Sequence, residues 1–381
     1  MNNQSITNAS LPANDAVSHI PGEAGMPFFG HLFELLRDHR AMRRRMIERY
    51  GPVFKTRALG QWSITLADAD GLQQVLLDRD KNFSSAQGWH SSIGTLFQRG
   101  LMLLDFDEHR YHRRIMQAAF KRDALEHYLG SMHSVSVAAL QDWRREERFL
   151  CYPAVKQLTL DNAAVAFLGL PLDERAAALN QAFVDTVAAS LAPIRWPIPG
   201  LAYKRGLDGR ALLARFFREQ IPTRRASDAN DMFTRLCHAT DDEGRAFSDD
   251  DIVNHMIFLL MAAHDTLTSS LTVALYGLAA HPEWQERLRD EHDTLAEGPL
   301  TYADVDQLEQ TGWVFNEALR LWGPVPLVPR RTQRAFVHAG VEIPANTQII
   351  VSPDHAHRDP TVWTNPDAFD PERFSAERAE H

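Results

Sequence analysis

An apolar run, Ile257-Phe258-Leu259-Leu260-Met261-Ala262-Ala263, meets His264-Asp265-Thr266 and then Thr268, Ser269 and Ser270. The whole stretch has helical periodicity, so an acid and several hydroxyls fall in the middle of a helix that should be dry. Desolvated polar groups need partners, which a ligand cavity, ordered water or a proton path would supply. Alternatively, the hydroxyls bond back to carbonyls one turn earlier and Asp265 is simply paired. Ala262 and Ala263 are small enough for something flat to approach the backbone.

Glu317-Ala318-Leu319-Arg320 sets a carboxylate and a guanidinium three residues apart on one helix face, close enough for a bidentate pair. Leu319, Leu321 and Trp322 mark that helix as buried, so a further basic group is expected beside the pair, and Pro371-Glu372-Arg373-Phe374 can supply it. In Glu108-His109-Arg110-Tyr111-His112-Arg113-Arg114, His109 and Arg113 stand one helical turn apart and can clamp one anion such as a carboxylate; a solvated basic face is the alternative. Arg330 and Arg331, which follow the proline-rich stretch from Pro324 to Pro329, pose the same choice.

Positioning these groups requires a mainly helical frame. Ser248 caps the central helix and Asp249, Asp250 and Asp251 favour its positive dipole end. Periodicity predicts helices near 31–50, 70–77, 110–128, 130–146, 155–168, 174–190, 205–218, 228–239, 249–280, 282–296 and 313–322, with breaks at Leu170-Pro171-Leu172, at Pro193 to Gly200 and at Ile221-Pro222. Val53–Arg57 and Trp62–Leu66 flank Leu59-Gly60-Gln61 as a hairpin, and Ala335–Ile343 and Thr347–Ser352 read as strands. Residues 1–20 read as a flexible tail, followed by a single domain over 21–381.

The chain has 381 residues, and 40 Lys+Arg against 50 Asp+Glu give a net charge of −10. That balance argues against a duplex nucleic-acid surface. Cys151 and Cys237 form no CxxC, so neither a disulfide nor a metal knuckle is read from them. Polar Met1 to Ser18 lacks the pattern of a secretory signal, and the apolar stretch from Ile252 to Ala280, broken by His255, His264 and Asp265, reads as a buried helix and not a membrane span.

These pieces, in this order, resemble the cytochrome P450 superfamily of haem-thiolate monooxygenases. Ala262-Ala263-His264-Asp265-Thr266 is similar to its oxygen-binding helix motif, Glu317 to Arg320 to its ExxR, Pro371 to Phe374 to its PERF, and His109 with Arg113 to its C-helix motif. His357-Arg358-Asp359-Pro360, with Trp363, Pro366 and Phe369, also matches. The resemblance implies a mainly α fold with a small β-sheet region, haem b held through its propionates by His109, Arg113 and Arg330 with Ala262 on its face, and proton delivery by Asp265 and Thr266. It implies insertion of one atom of O2 into a C–H bond of a lipophilic small molecule, with electrons from NAD(P)H through a ferredoxin and its reductase, in the cytoplasm.

Glu317, Arg320 and Arg373 are expected to be structural. Substrate is expected along Phe83 to Leu104, Phe183 to Phe217 and the Ala262 face. The family's cysteine ligand follows PERF in a glycine-rich loop and is not among these residues, so the chain is expected to be truncated at the C-terminus and inactive as written. An O2-independent rearrangement enzyme of the same fold, or a non-catalytic lipophile-binding protein, are the alternative readings.

Overall fold

The computed structural model describes residues 14–144, 149–296 and 298–380. Residues 1–13 of the expected tail lie outside the described residues; Asn14–Val17 form one 3-10 turn, and Val17 and Ile20 are buried, so order reaches back at least to Val17. The backbone divides into two compact units, one of Met1–Ser91 with Val325–Pro366, the other of Ser92–Pro324 with Asp367–His381.

In chain order the elements are β1 (Gly22–Glu23), α1 (Leu32–Tyr50), β2 (Val53–Ala58), β3 (Gln61–Leu66), α2 (Ala69–Leu77), β4 (Phe83–Ser84) and α3 (Ser85–Trp89). Then come α4 (Phe106–Met116), α5 (Arg122–Trp143), α6 (Cys151–Ala166), α7 (Glu174–Ser190), α8 (Ala202–Arg225), α9 (Met232–His238), α10 (Asp249–Ala280), α11 (Pro282–His292), α12 (Tyr302–Val305) and α13 (Glu309–Trp322). After these come β5 (Val328–Thr332), β6 (Phe336–His338), β7 (Val341–Ile343), β8 (Gln348–Val351), α14 (Pro353–Ala356) and a 3-10 turn at Pro371–Phe374. The fold is mainly helical with small sheets, as the periodicity predicts.

All the strands belong to the first unit. Six of them form one sheet in the order β1-β2-β3-β8-β5-β4, and β6 pairs with β7. The hairpin between β2 and β3 turns through Leu59 and Gly60, both at positive φ, with Ala58 opposite Gln61. Val53, Ile64, Leu66, Val75, Phe83, Ile343, Ile349 and Val351 make the core, which Val17 and Ile20 complete. Gly88 lets α3 lie directly on β5: a Cβ there would come within 2.6 Å of the Arg330 Cα.

The second unit is helical and is organised around α10. Among the described residues α10 is the one helix long and apolar enough to cross a bilayer; every side chain from His255 to Leu260 is buried, and the helix packs against α6, α8 and α13. Its start is fixed as expected, with the Ser248 hydroxyl accepting from the Asp251 amide. Two interactions tie α4 to it. Arg99 spans Asp251 (3.1 Å) and Glu108 (2.8 Å), and the buried rings of His112 and His255 share a 2.7 Å hydrogen bond from Nδ1 to Nε2. Gly100 lets the segment before α4 run against Phe258, whose ring would lie within 2.5 Å of any Cβ at that position.

Two expected boundaries move. The helices predicted at 110–128 and 130–146 are α4, which ends at Met116, a 3-10 turn at Gln117–Phe120, and α5, which begins at Arg122. Lys121 is extended and breaks the run, whereas Gly130 faces open space and is carried inside α5. Nor does Ile221-Pro222 end α8. Pro222 gives up one backbone donor in the last turns while Phe217 and Ile221 stay buried, and the helix runs on to Arg225.

At the other end of this unit Glu317 is fully buried and holds two guanidinium groups. Arg320 donates from Nε at 2.6 Å and from Nη2 at 2.8 Å, and Arg373 donates from Nε at 3.2 Å. The Asp370 amide adds 2.8 Å, Arg320 reaches the Ala368 carbonyl at 3.1 Å, and Arg373 reaches Glu380 at 2.8 Å. The second basic group expected from the Pro371–Phe374 motif is therefore in place.

Because Glu317→Ala leaves two guanidinium groups facing a void, it should cost about 3–5 kcal/mol. Glu372→Ala removes only an exposed partner of Arg287 and should cost under about 1 kcal/mol; urea midpoints compare the two, and equal losses would refute the hierarchy. A second expectation concerns acid. Burial pushes the His255 ring down to about 3, helped by His112, and burial also lowers His112. The unfolded chain, with ordinary histidines near 6.5, therefore takes up protons first, and the stability of the pair, complete above that pH, is lost as pH falls from about 6.5 towards 3. A His112→Phe, His255→Leu double variant should show a flatter stability profile below pH 6.5 than the parent; parallel profiles would contradict this.

Candidate functional site

Midway along α10 the burial pattern changes. Met261, Ala262, Ala263, Asp265 and Thr266 are partly exposed after the fully buried turns before them. The hydroxyls are satisfied locally: Thr266 donates to the Ala262 carbonyl at 2.6 Å, Ser270 to Thr266 at 2.7 Å and Thr272 to Thr268 at 2.7 Å. That is the back-bonded arrangement weighed from the sequence, and it leaves His264, Asp265 and Thr268 to find partners beyond the helix backbone.

His264 is 1% exposed. Its Nδ1 lies 2.9 Å from the Thr159 hydroxyl on α6, which is 2.7 Å from the Thr268 hydroxyl, and the Phe183 ring of α7 lies against its face at 5.5 Å. Its Nε2 has no hydrogen-bond partner and stands 3.6 Å from Oδ1 of Asp265. Burial, with Lys156 adding to it, pushes this ring down to about 4, so it is neutral at ordinary pH and the 3.6 Å approach is not an ion pair. Asp265, 37% exposed at its side chain, is pushed up by burial while Lys156 opposes the shift.

On α4, His109 is half-buried and Arg113 is exposed, one turn apart. The Arg113 guanidinium has no hydrogen-bond or ion-pair partner among the described residues. The His112–His255 bond between these two positions pins α4 to α10 eleven residues before Thr266, which is roughly 16 Å along the helix axis. The second unit thus carries Ala262, Asp265 and Thr266 on one helix and His109 and Arg113 on the helix bound to it. Arg330 belongs to the first unit, on β5 opposite Ile349, where its guanidinium donates to the Pro329 carbonyl at 2.9 Å.

Phe83, expected to begin a substrate-facing loop, lies in the core of the first unit against Phe336. Leu191, Ile194 and Trp196 are exposed, at 83%, 53% and 72%. Sequence reasoning missed the partnership of His112 with His255 and the part played by Thr159. A histidine inside the apolar stretch of α10 was the available signal for the first; nothing local marked the second.

The residues fit the periphery of a haem. A guanidinium without a protein partner suits a propionate, and the alanine pair with its exposed face suits a flat macrocycle. They do not supply its iron ligand. Cys237 is buried in α9 with its thiol pushed up to about 12 by burial, and Cys151 opens α6 with its thiol also raised by burial, so neither is a ready thiolate.

The chain matches the family model Cytochrome P450 over residues 20–381. It is 43% identical over 378 residues to the putative cytochrome P450 136 of Mycobacterium tuberculosis, covering 98% of this chain and 77% of that protein. It is 28% identical to the taxoid 7-beta-hydroxylase of Taxus cuspidata, covering 94% and 75%. The structure of a retinoic acid-bound cyanobacterial CYP120A1 superposes with a TM-score of 0.84 at 26% identity, covering 98% of this chain and 84% of the other. With the acid–alcohol pair, the buried Glu317 cluster and a match along nearly its whole length, this chain belongs to the cytochrome P450 family of haem-dependent monooxygenases.

Proposed function

We propose that the enzyme inserts one atom of O2 into a C–H bond of a lipophilic small molecule in the cytoplasm, with residues 21–381 forming a single domain of the cytochrome P450 type. Electrons from NAD(P)H reach it singly through a ferredoxin and its reductase. The observation that carries this reading is the Asp265–Thr266 pair beside Ala262 and Ala263, where α10 opens. A lipophilic substrate accords with the retinoic acid and the taxoid in the names of two relatives.

The roles follow from chemistry. His109 and Arg113 would hold haem propionates by charge-assisted hydrogen bonds, and Arg330, on the first unit, is the further cation that the resemblance implies for them. Ala262 keeps its side of the macrocycle clear. The bound haem supplies O2 binding and reductive O–O cleavage. Thr266 holds a water through its hydroxyl oxygen, and Asp265, whose carboxyl burial raises above the usual carboxylate range, passes protons inward from solvent. Neither Cys151 nor Cys237, both with thiols raised by burial, serves as the iron ligand.

Thr266→Ala in the full-length holoenzyme should cut product formed per NAD(P)H several-fold while reductant oxidation continues. Equal coupling in variant and parent would refute the role of Thr266. Product formed without O2 and reductant would favour the rearrangement reading, and tight lipophile binding with no turnover would favour a binding protein. In a reduced carbon-monoxide difference spectrum, residues 1–381 should give no thiolate-haem band; such a band would overturn the exclusion of Cys151 and Cys237 as ligands.

A further inference from the structure

We propose that His264 is a positioning residue for Asp265: Thr159 on α6 fixes its tautomer so that a bare Nε2 faces the acid and accepts the proton of its carboxyl group. The inference rests on the oxygenase reading only for its purpose; its geometry stands apart from it.

A count of hydrogens sets the tautomer. The Thr159 hydroxyl has one proton, and the Lys156 carbonyl 3.0 Å away can only accept it. With that proton given to the Lys156 carbonyl, Thr159 Oγ1 is left to accept from the Thr268 hydroxyl at 2.7 Å and from His264 Nδ1 at 2.9 Å, a nitrogen that also stands 3.5 Å from the Thr268 hydroxyl. With its one proton on Nδ1, the neutral ring presents a lone pair at Nε2, the atom that lies buried without a partner. An ionised Asp265 beside that lone pair would set two acceptors against each other. A protonated carboxyl resolves both, since closing the 3.6 Å gap by about 1 Å makes an O–H to Nε2 hydrogen bond.

The pair therefore holds one proton, on the carboxyl oxygen or, after transfer, on Nε2 with the carboxylate left free to take another from water. No electrons move. Lys156 on α6 is the charged group that acts on both members, and α7 contributes only the Phe183 ring. Burial already depresses the ring and raises the acid, which favours the proton resting on oxygen.

The test uses the full-length protein in its diamagnetic ferrous carbon-monoxide form. Nitrogen-15 NMR of the His264 ring, assigned by its loss in His264→Gln, should report a protonated Nδ1 and a bare Nε2; the opposite tautomer would overturn the proposal. Infrared titration of the Asp265 carboxyl, assigned by Asp265→Asn, gives a second reading. Thr159→Val frees the ring proton to move to Nε2, where it donates to the carboxylate, so the Asp265 midpoint should fall by about one pH unit. Thr159→Ser, which keeps the hydroxyl, should restore it. An unmoved midpoint in a folded Thr159→Val protein would refute the coupling, and if that variant does not fold the tautomer decides alone. Correct tautomer with fully coupled Thr266→Ala would sink the oxygenase roles and keep this pair; the reverse outcome would do the opposite.

Discussion

A carboxylate sealed from water cannot stay ionised unless cations come with it, and Glu317 is the point at which this fold meets that constraint. Two guanidinium groups and a backbone amide surround it, and Glu380 balances the second arginine, so Glu317, Arg320, Arg373 and Glu380 sum to zero charge. Each member is tolerable inside only because the others are present. The cluster joins α13 to the segment that carries Asp370 and Arg373, which makes the last described turns part of the interior and not a loose end.

The same rule, applied along α10, explains why the middle of that helix carries chemistry. Thr266, Ser270 and Thr272 are hidden cheaply because each returns its hydroxyl to a carbonyl one turn back. Histidine and aspartate have no such local remedy. His264 takes its partner from α6, and Asp265 keeps part of its surface in the open, so the helix remains continuous while two side chains stay answerable to their surroundings.

Much of this was legible in the residues. The start of α10 can be read because Ser248 is a strong cap that the structure uses as such. The acid–alcohol pair stood out against the dry helix around it, and the second cation of the Glu317 cluster followed from the cost of burying a pair alone. What stayed hidden depends on distance along the chain. Strand β5 reads as a proline-rich coil until β8 lies beside it, and the partnerships of His112 with His255 and of Thr159 with His264 join positions 143 and 105 residues apart. No periodicity encodes such a meeting; packing decides it.

The 2.6 Å bond from Thr266 to the Ala262 carbonyl commits the alcohol's only hydrogen before any guest arrives. An incoming molecule first meets oxygen lone pairs, and so finds a host able to receive but not to give. Donation requires the side chain to unlatch, which leaves the Ala262 carbonyl one acceptor short of a partner. The order of events at this spot is thereby built into a torsion angle: welcome first, delivery second.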